Sequence, residues 1–264
     1  MTGSAADPRR EMIDAVGALL SQARGVLFVT GPAMSQESGL PMYRGIGGLQ
    51  RKRPEDGKLF EAALSPEALH AKPQVTWKYL LQMEHAIRRV RPSRGHEILA
   101  AFERAIPRTR IMTVNIDRLH QTAGSRGVLE MHGSLFDLTC RACEMTTRHA
   151  TFDDLDMPPL CGGCTQPLRP EMPLFGEALP PEPFTRLQAE LDEGFDIVIA
   201  VGVPAMYPYL ARPVLLARSE GIPTVEINAH RTDVSDVVEF RFQGAPTAVL
   251  GDIFDVFCRL REKR

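Results

Sequence analysis

A chain of 264 residues, 44% hydrophobic and 24% charged, can bury a sizeable core and has the balance of an ordinary folded protein. Its formal net charge of −2 provides no broad basic surface, so direct binding of nucleic acid is not expected. No apolar run approaches the ~18 residues of a membrane helix, and residues 1–10 are polar with no leader-like core, so a cytoplasmic location without a membrane partner is expected.

Ile13, Val16, Leu19, Leu20 and Ala23 recur at helical spacing and predict an opening amphipathic helix that Gly25 ends. Val26–Thr30 reads as a buried strand stopped by Gly31 and Pro32. Glycine, serine and proline crowd residues 31–41, which predicts a loop with at most a short helical turn. Residues 46–73 are irregular, whereas Val75–Val90 and His96–Ala105 have helical periodicity. Arg88, Arg89, Arg91 and Arg94 read as a solvated helix face. Arg110–Val114 and Val128–Met131 are short strands. Asp196–Val201 is a continuous apolar run, suited to a parallel strand covered on both faces. Leu210–Ser219 reads as a helix, Thr224–Asn228 as a strand and Ile253–Leu260 as the closing helix, with Cys258 a small buried hydrophobe.

Alternating strands and helices predict an α/β fold with a Rossmann-like, doubly wound parallel sheet. Two stretches break the rhythm. Residues 136–169 hold both cysteine pairs and read as a small zinc-binding module, and residues 46–92 read as a helical insertion. The remaining 1–45, 93–135 and 170–264 then form the main, dinucleotide-binding domain.

Cys140 and Cys143 form one C-x-x-C pair and Cys161 and Cys164 a second, with 17 residues between them. This spacing fits two thiolate turns that together close a tetrahedral zinc site. Gly162 and Gly163 supply the freedom such a turn needs. Disulfides fit a cytoplasmic chain poorly, and a redox pair needs only one C-x-x-C. Four thiolates leave no open position, so the zinc is expected to be structural.

The first strand runs into Gly31-Pro32-Ala33-Met34-Ser35, a glycine turn at the edge where α/β proteins bind phosphates. Ala33 stands at the third position, so the turn matches G-x-G-x-x-G poorly, and taken alone it reads better as an ordinary turn.

The order of motifs is more specific. Gly31 through Gly45 resembles the sirtuin run G-A-G-x-S-x-x-S-G-I-P-x-F-R-G, and Thr113 through His120 is similar to T-Q-N-I-D-x-L-H. Glu130 through Ser134 resembles E-L-H-G-S. The cysteine pairs follow, and Leu168-Arg169-Pro170 with Phe175 through Pro180 resembles L-R-P and F-G-E-x-L-P. Val225 through Asn228 matches V-E-I-N. The chain thus resembles the sirtuin family from about Val26 to Asn228. That resemblance implies an NAD-dependent protein-lysine deacylase acting on an acyl-lysine protein or peptide and releasing nicotinamide and O-acyl-ADP-ribose.

By this resemblance His132 is the general base, a role that suits an imidazole titrating near working pH. Asn115 and Asp117, on one side of a strand end, hold the nicotinamide end; helix capping is the alternative for Asp117. Gly31, Pro32, Ala33, Ser35, Tyr43, Arg44, Gly202 and Asn228 line the rest of the NAD site. Phe175, Gly176 and Glu177 border the groove where a substrate backbone adds as a strand. Leu80 and Met83 stand where sirtuins that take acidic acyl groups carry a tyrosine and an arginine. The apolar pair implies acetyl or longer hydrophobic acyl chains, unless both are simply helix core.

The chain departs from the family pattern at several positions. Pro32 lacks an amide donor, Ala33 adds a Cβ, Val114 replaces a glutamine, and Gly202-Val203-Pro204 replaces G-T-S. Weaker NAD binding is expected from these changes. They keep two other readings open: an ADP-ribosyltransferase or NAD hydrolase, and a weakly active or non-catalytic NAD or ADP-ribose sensor. Nothing in the sequence fixes the oligomeric state.

Overall fold

A computed structural model of the chain describes residues 7–41, 60–204 and 207–263. In chain order the elements are α1 (Pro8–Gln22), β1 (Gly25–Thr30), α2 (Pro32–Glu37), α3 (Phe60–Ala63), α4 (Pro66–Ala71), α5 (Pro73–Arg88) and α6 (Arg94–Ala105). They continue with β2 (Arg108–Thr113), α7 (Leu119–Thr122), β3 (Val128–Glu130), β4 (Ser134–Cys140), β5 (Thr146–Arg148), β6 (Leu168–Glu171) and α8 (Pro181–Asp192). The chain closes with β7 (Ile197–Val201), α9 (Pro208–Ser219), β8 (Thr224–Asn228), β9 (Phe240–Gln243) and α10 (Pro246–Arg261).

Six strands form one parallel sheet in the order β3-β2-β1-β7-β8-β9. From β1 the chain first steps outward to β2 and β3. It then returns to the other side of β1 for β7, β8 and β9. The doubly wound expectation is therefore met, with the switch point between β1 and β7. Period-two alternation sorts the strand side chains onto two faces. Val26 and Phe28 of β1 join Ile13, Val16 and Leu20 of α1 and Val249, Ile253 and Phe257 of α10 in one core. Leu27 and Val29 face the opposite core, with Leu187 and Leu191 of α8 and Leu210 and Val214 of α9.

A three-stranded antiparallel sheet, β5-β4-β6, carries the cysteines. Its Leu135, Leu138 and Leu168, with Phe152 from the loop after β5, share a third core with Trp77 and Leu80 of α5. The Trp77 indole donates to the Leu168 carbonyl at 3.1 Å and packs edge-on against Phe152 at 5.7 Å. The helices of residues 60–88 and the cysteine-bearing module thus pack as one lobe. Residues 42–59, which include 46–59 of the expected helical insertion, lie outside the described residues.

Several boundaries differ from the expectations, each for a local reason. The loop after β1 contains the six-residue helix α2, because Pro32 sits at its first position, where no intrahelical donor is needed. Helix α10 starts at Pro246 rather than near Ile253. Its first turn is capped by Glu37 of α2, which accepts from the Thr247 amide at 3.0 and 3.1 Å. That cap comes from far away in the sequence, so no local motif signals it. Helix α8 and the edge strand β9 were not expected: α8 buries Leu187 and Leu191 behind a proline-rich start, and β9 has only four residues.

Phe102 of α6 is fully buried against Phe28, Phe254 and Phe257, with ring centroids 5.0–5.7 Å away. Phe102→Ala is expected to lower stability by ~3–5 kcal/mol, through lost burial and an unfilled cavity. Urea denaturation followed by circular dichroism would measure it. A loss below ~1 kcal/mol would contradict this packing.

Candidate active site

The switch point brings two loops side by side at the carboxyl ends of β1 and β7, where ligands enter sheets of this topology. Gly31 leaves β1 and Gly202 leaves β7. A Cβ on Gly31 would lie 2.9 Å from the Gly202 carbonyl oxygen. A Cβ on Gly202, at φ +62°, would lie 2.6 Å from the Ala33 Cβ. Only glycine fits either place, and the loops touch. The Ala33 amide donates to the Gly202 carbonyl at 3.3 Å, and the Met34 amide to Gly31 at 3.1 Å. With Pro32 donorless, the first amides of α2 are therefore absent or engaged.

Asn115 and Asp117 lie in the loop just beyond the end of β2, and both are buried. The Asn115 side-chain amide donates to the Gly31 carbonyl at 3.0 Å, which ties the β2 loop to the glycine turn. Asp117 accepts from the Leu119 amide at 2.9 Å and from the Ser35 hydroxyl. Its carboxylate thus caps α7 and also joins α2. Burial pushes the Asp117 pKa up, against the opposing pull of the Ser35 and Leu119 donors. Across the switch point, the Asn228 amide donates to the Val203 carbonyl at 2.8 Å.

His132 follows β3. The next residue, Gly133, has φ +61°, and a Cβ there would lie 1.8 Å from the Glu171 carbonyl oxygen. The turn that presents the imidazole therefore demands glycine. Burial lowers the His132 pKa, so the ring is neutral over a wider range than an exposed histidine. Its Nε2 lies 2.7 Å from the Tyr209 hydroxyl of α9. Sequence reasoning missed Tyr209; its only signal is an aromatic pair, Tyr207 and Tyr209, around Pro208 just past the Gly202 loop.

The other expected residues fall into three groups. Tyr43 and Arg44 lie outside the described residues. Leu80 is fully buried in the third core and Met83 packs against it. Phe175 donates its amide to the Leu64 carbonyl at 2.9 Å, Gly176 turns at φ +94°, and Glu177 faces inward. Both Glu177 oxygens lie 2.6 Å from Arg169 nitrogens, and one accepts from the Leu174 amide at 2.7 Å. Burial raises the Glu177 pKa, but Arg169 and the Leu174 amide outweigh it and hold the group below its ordinary value. That carboxylate buckles the loop from inside.

The four cysteine sulfurs all lie within 4.8 Å of one another, with neighbouring pairs at 3.4, 3.5 and 3.6 Å. Disulfides would need ~2 Å, whereas thiolates around zinc at ~2.3 Å sit about 3.8 Å apart. The donor set and its spacing fit a structural zinc. Two matching turns build it: the Glu144 amide donates to the Cys140 carbonyl at 2.9 Å and the Thr165 amide to the Cys161 carbonyl at 2.8 Å. The left-handed residues of these turns are Glu144 and Thr165, not Gly162 and Gly163 as the sequence had suggested.

The Sir2 family model matches residues 31–206. The chain belongs to the Sir2 family. This Sir2 chain is 38% identical to NAD-dependent protein deacylase 2 of Pseudomonas aeruginosa, over 91% of this chain and 95% of that one. It is 34% identical to NAD-dependent protein deacylase 2 of Pyrobaculum aerophilum, over 94% of this chain and 98% of that one. Among solved structures, a mutant Sir2 homologue in complex with ADP-ribose superposes with a TM-score of 0.85 at 27% identity, covering 95% of this chain and 98% of that one. A complex of a Sir2 homologue with NAD gives 0.84 at 26% identity, covering 99% and 97%. None of the described helices is long and apolar enough to cross a membrane.

The zinc assignment predicts one zinc per chain by elemental analysis of freshly purified protein. Cys161→Ser is expected to lower that occupancy and the melting temperature together. Full-length protein that holds no zinc yet melts unchanged would overturn the closed thiolate site.

Proposed function

We propose that this Sir2 chain is an NAD-dependent protein-lysine deacylase that takes acetyl or longer hydrophobic acyl groups. The observation that carries the reading is His132: an imidazole kept neutral by burial and held by a turn that only glycine can make. A neutral imidazole nitrogen can take a proton, and the deacylase relatives give that ability its context.

The switch-point residues fit NAD. Gly31 and Gly202 leave backbone exposed where side chains cannot stand, and the buried Asn115 and Asp117 offer polar groups beside them. Bound NAD would supply the ribose carbon that receives the acyl oxygen as nicotinamide leaves. Asn115 and Asp117 would orient the carboxamide, Ser35 would hold Asp117 in place, and Asn228 would face the adenosine half. His132 would remove a proton from a ribose hydroxyl. Met83 of α5, partly buried beside the core residue Leu80, offers no cation for an acidic acyl group. With the α2 amides engaged and Pro32 donorless, phosphate binding relies on fewer donors, each worth ~0.5–1.5 kcal/mol. A high KM for NAD follows.

Nicotinamide release from NAD, measured with and without acetyl- and longer acyl-lysine peptides, tests the reading. Peptide-dependent release is expected, with a loss of about 10²–10⁴-fold in His132→Ala. Release without peptide would point to a hydrolase or transferase. Binding of NAD with no release would point to a sensor.

Two further outcomes are expected. Because the His132 pKa is lowered, its neutral form persists as pH falls, and the acid limb of the kcat/KM profile should lie below 6.5. An acid limb above that value would contradict the burial argument. Replacing Leu80→Tyr and Met83→Arg together should raise activity on succinyl-lysine relative to acetyl-lysine. An unchanged ratio would reject the placement of the acyl chain against α5.

A further inference from the structure

The deacylase reading gives Tyr209 no role, yet its hydroxyl is 2.7 Å from Nε2 of His132. The ring is fixed from two sides. It stacks on Tyr207 at 5.8 Å and 21°, and meets Phe184 of α8 edge-on at 5.4 Å and 72°. A phenyl ring would pack there equally well, so packing does not account for the hydroxyl. Burial, and then the neighbouring Tyr207, push the phenol up to about 12, so it keeps its proton throughout the working range and has one to donate. His132 is neutral through burial. A neutral imidazole has one donor and one acceptor nitrogen, and a phenol donor at Nε2 selects the tautomer with its proton on Nδ1.

We propose that Tyr209 is a positioning residue for the general base: its hydroxyl holds Nε2 of His132 as an acceptor in the free protein, and a substrate hydroxyl must displace it. The role of His132 in this statement rests on the deacylase reading; the hydrogen bond and the tautomer do not. Tyr207 reaches His132 only through Tyr209. Glu130, two residues before His132, is pushed up by burial, and the polar groups that act on it are Gln121, Arg118, Asp137 and Arg148. No other ion pair or side-chain hydrogen bond to His132 is present among the described residues.

While His132 is neutral, the phenol occupies the ring nitrogen that must take the substrate proton. It also stabilises the resting state against the bound state. Removing it should raise kcat/KM for acyl peptide roughly two- to tenfold at high pH, where His132 is neutral. The kcat profile reports the bound complex, where the substrate hydroxyl has replaced Tyr209, and should stay where it is.

The experiment is a nitrogen-15 NMR titration of the His132 ring in the full chain, assigned by loss of its signals in His132→Ala, alongside kcat/KM and kcat profiles of wild type and Tyr209→Phe. In wild type, Nδ1 should carry the proton and Nε2 should be bare at neutral pH. In Tyr209→Phe, kcat/KM at high pH should gain as stated. A wild-type ring protonated on Nε2 while neutral would overturn the proposal, and that test needs no variant to fold. So would a Tyr209→Phe protein whose kcat/KM at high pH is no higher than that of wild type. Absence of peptide-dependent release by wild type would instead sink the deacylase reading and leave the NMR result standing on its own.

Discussion

The contact between the Gly31 and Gly202 turns governs the site. Strand order reverses between β1 and β7, and only there do loops leave the sheet in opposite directions with a crevice between them. Both turns approach to where a single Cβ would collide with backbone or with Ala33. Gly31 offers its carbonyl to Asn115, and Gly202 offers its carbonyl to Ala33. Three segments distant in sequence are thereby fixed by backbone oxygens, which mutation cannot readily alter. The chemistry of the site depends on what the glycines lack.

Beneath this surface the polar groups are buried and linked in series. Thr30 of β1 meets His120 at 2.9 Å, and His120 packs against His96 with ring centroids 4.7 Å apart. His96 bonds Ser93 at 2.8 Å, and the Ser93 amide donates to Ser38. Burial lowers the His96 pKa to about 4, and burial with the neighbouring His96 lowers that of His120 well below its ordinary value. Both are neutral, so this layer joins β1, α2, α6 and α7 without placing a cation beneath the crevice. The titratable group left there is Asp117, whose ionised form burial opposes and three donors favour: the Ser35 hydroxyl and the Leu119 and Asp117 amides.

Much of this arrangement was legible in the sequence because its causes are local. Val26–Thr30 and Ile197–Val201 are strand-length apolar runs closed by glycine, and their burial follows directly. The two C-x-x-C pairs carry their own turn geometry, although the left-handed positions fall one residue past each pair, on Glu144 and Thr165. What the sequence did not disclose depends on partners brought from elsewhere. Glu37 caps α10 across the fold, α5 shares a core with the zinc module, and Tyr209 reaches His132 from another layer. Glu177, expected at the substrate groove, is bound inward to Arg169 because a nearly buried guanidinium requires a carboxylate.

The same kind of distant pairing explains why a structural metal matters to a site it does not touch. Arg118 directly follows Asp117 and takes a left-handed conformation, φ 59°. Its guanidinium lies 2.6 Å from Asp137 of β4, the strand that ends at the zinc ligand Cys140. Arg148 of β5 holds the other Asp137 oxygen at 2.9 Å, so one nearly buried carboxylate joins the zinc module to the Asp117 loop. A carboxylate so buried is stable only while both cations hold their places. Those places depend on β4 and β5, whose ends the thiolate turns fix. Loosening of the metal centre would therefore release Asp137 first, then Arg118, and then the loop that carries Asn115 and Asp117.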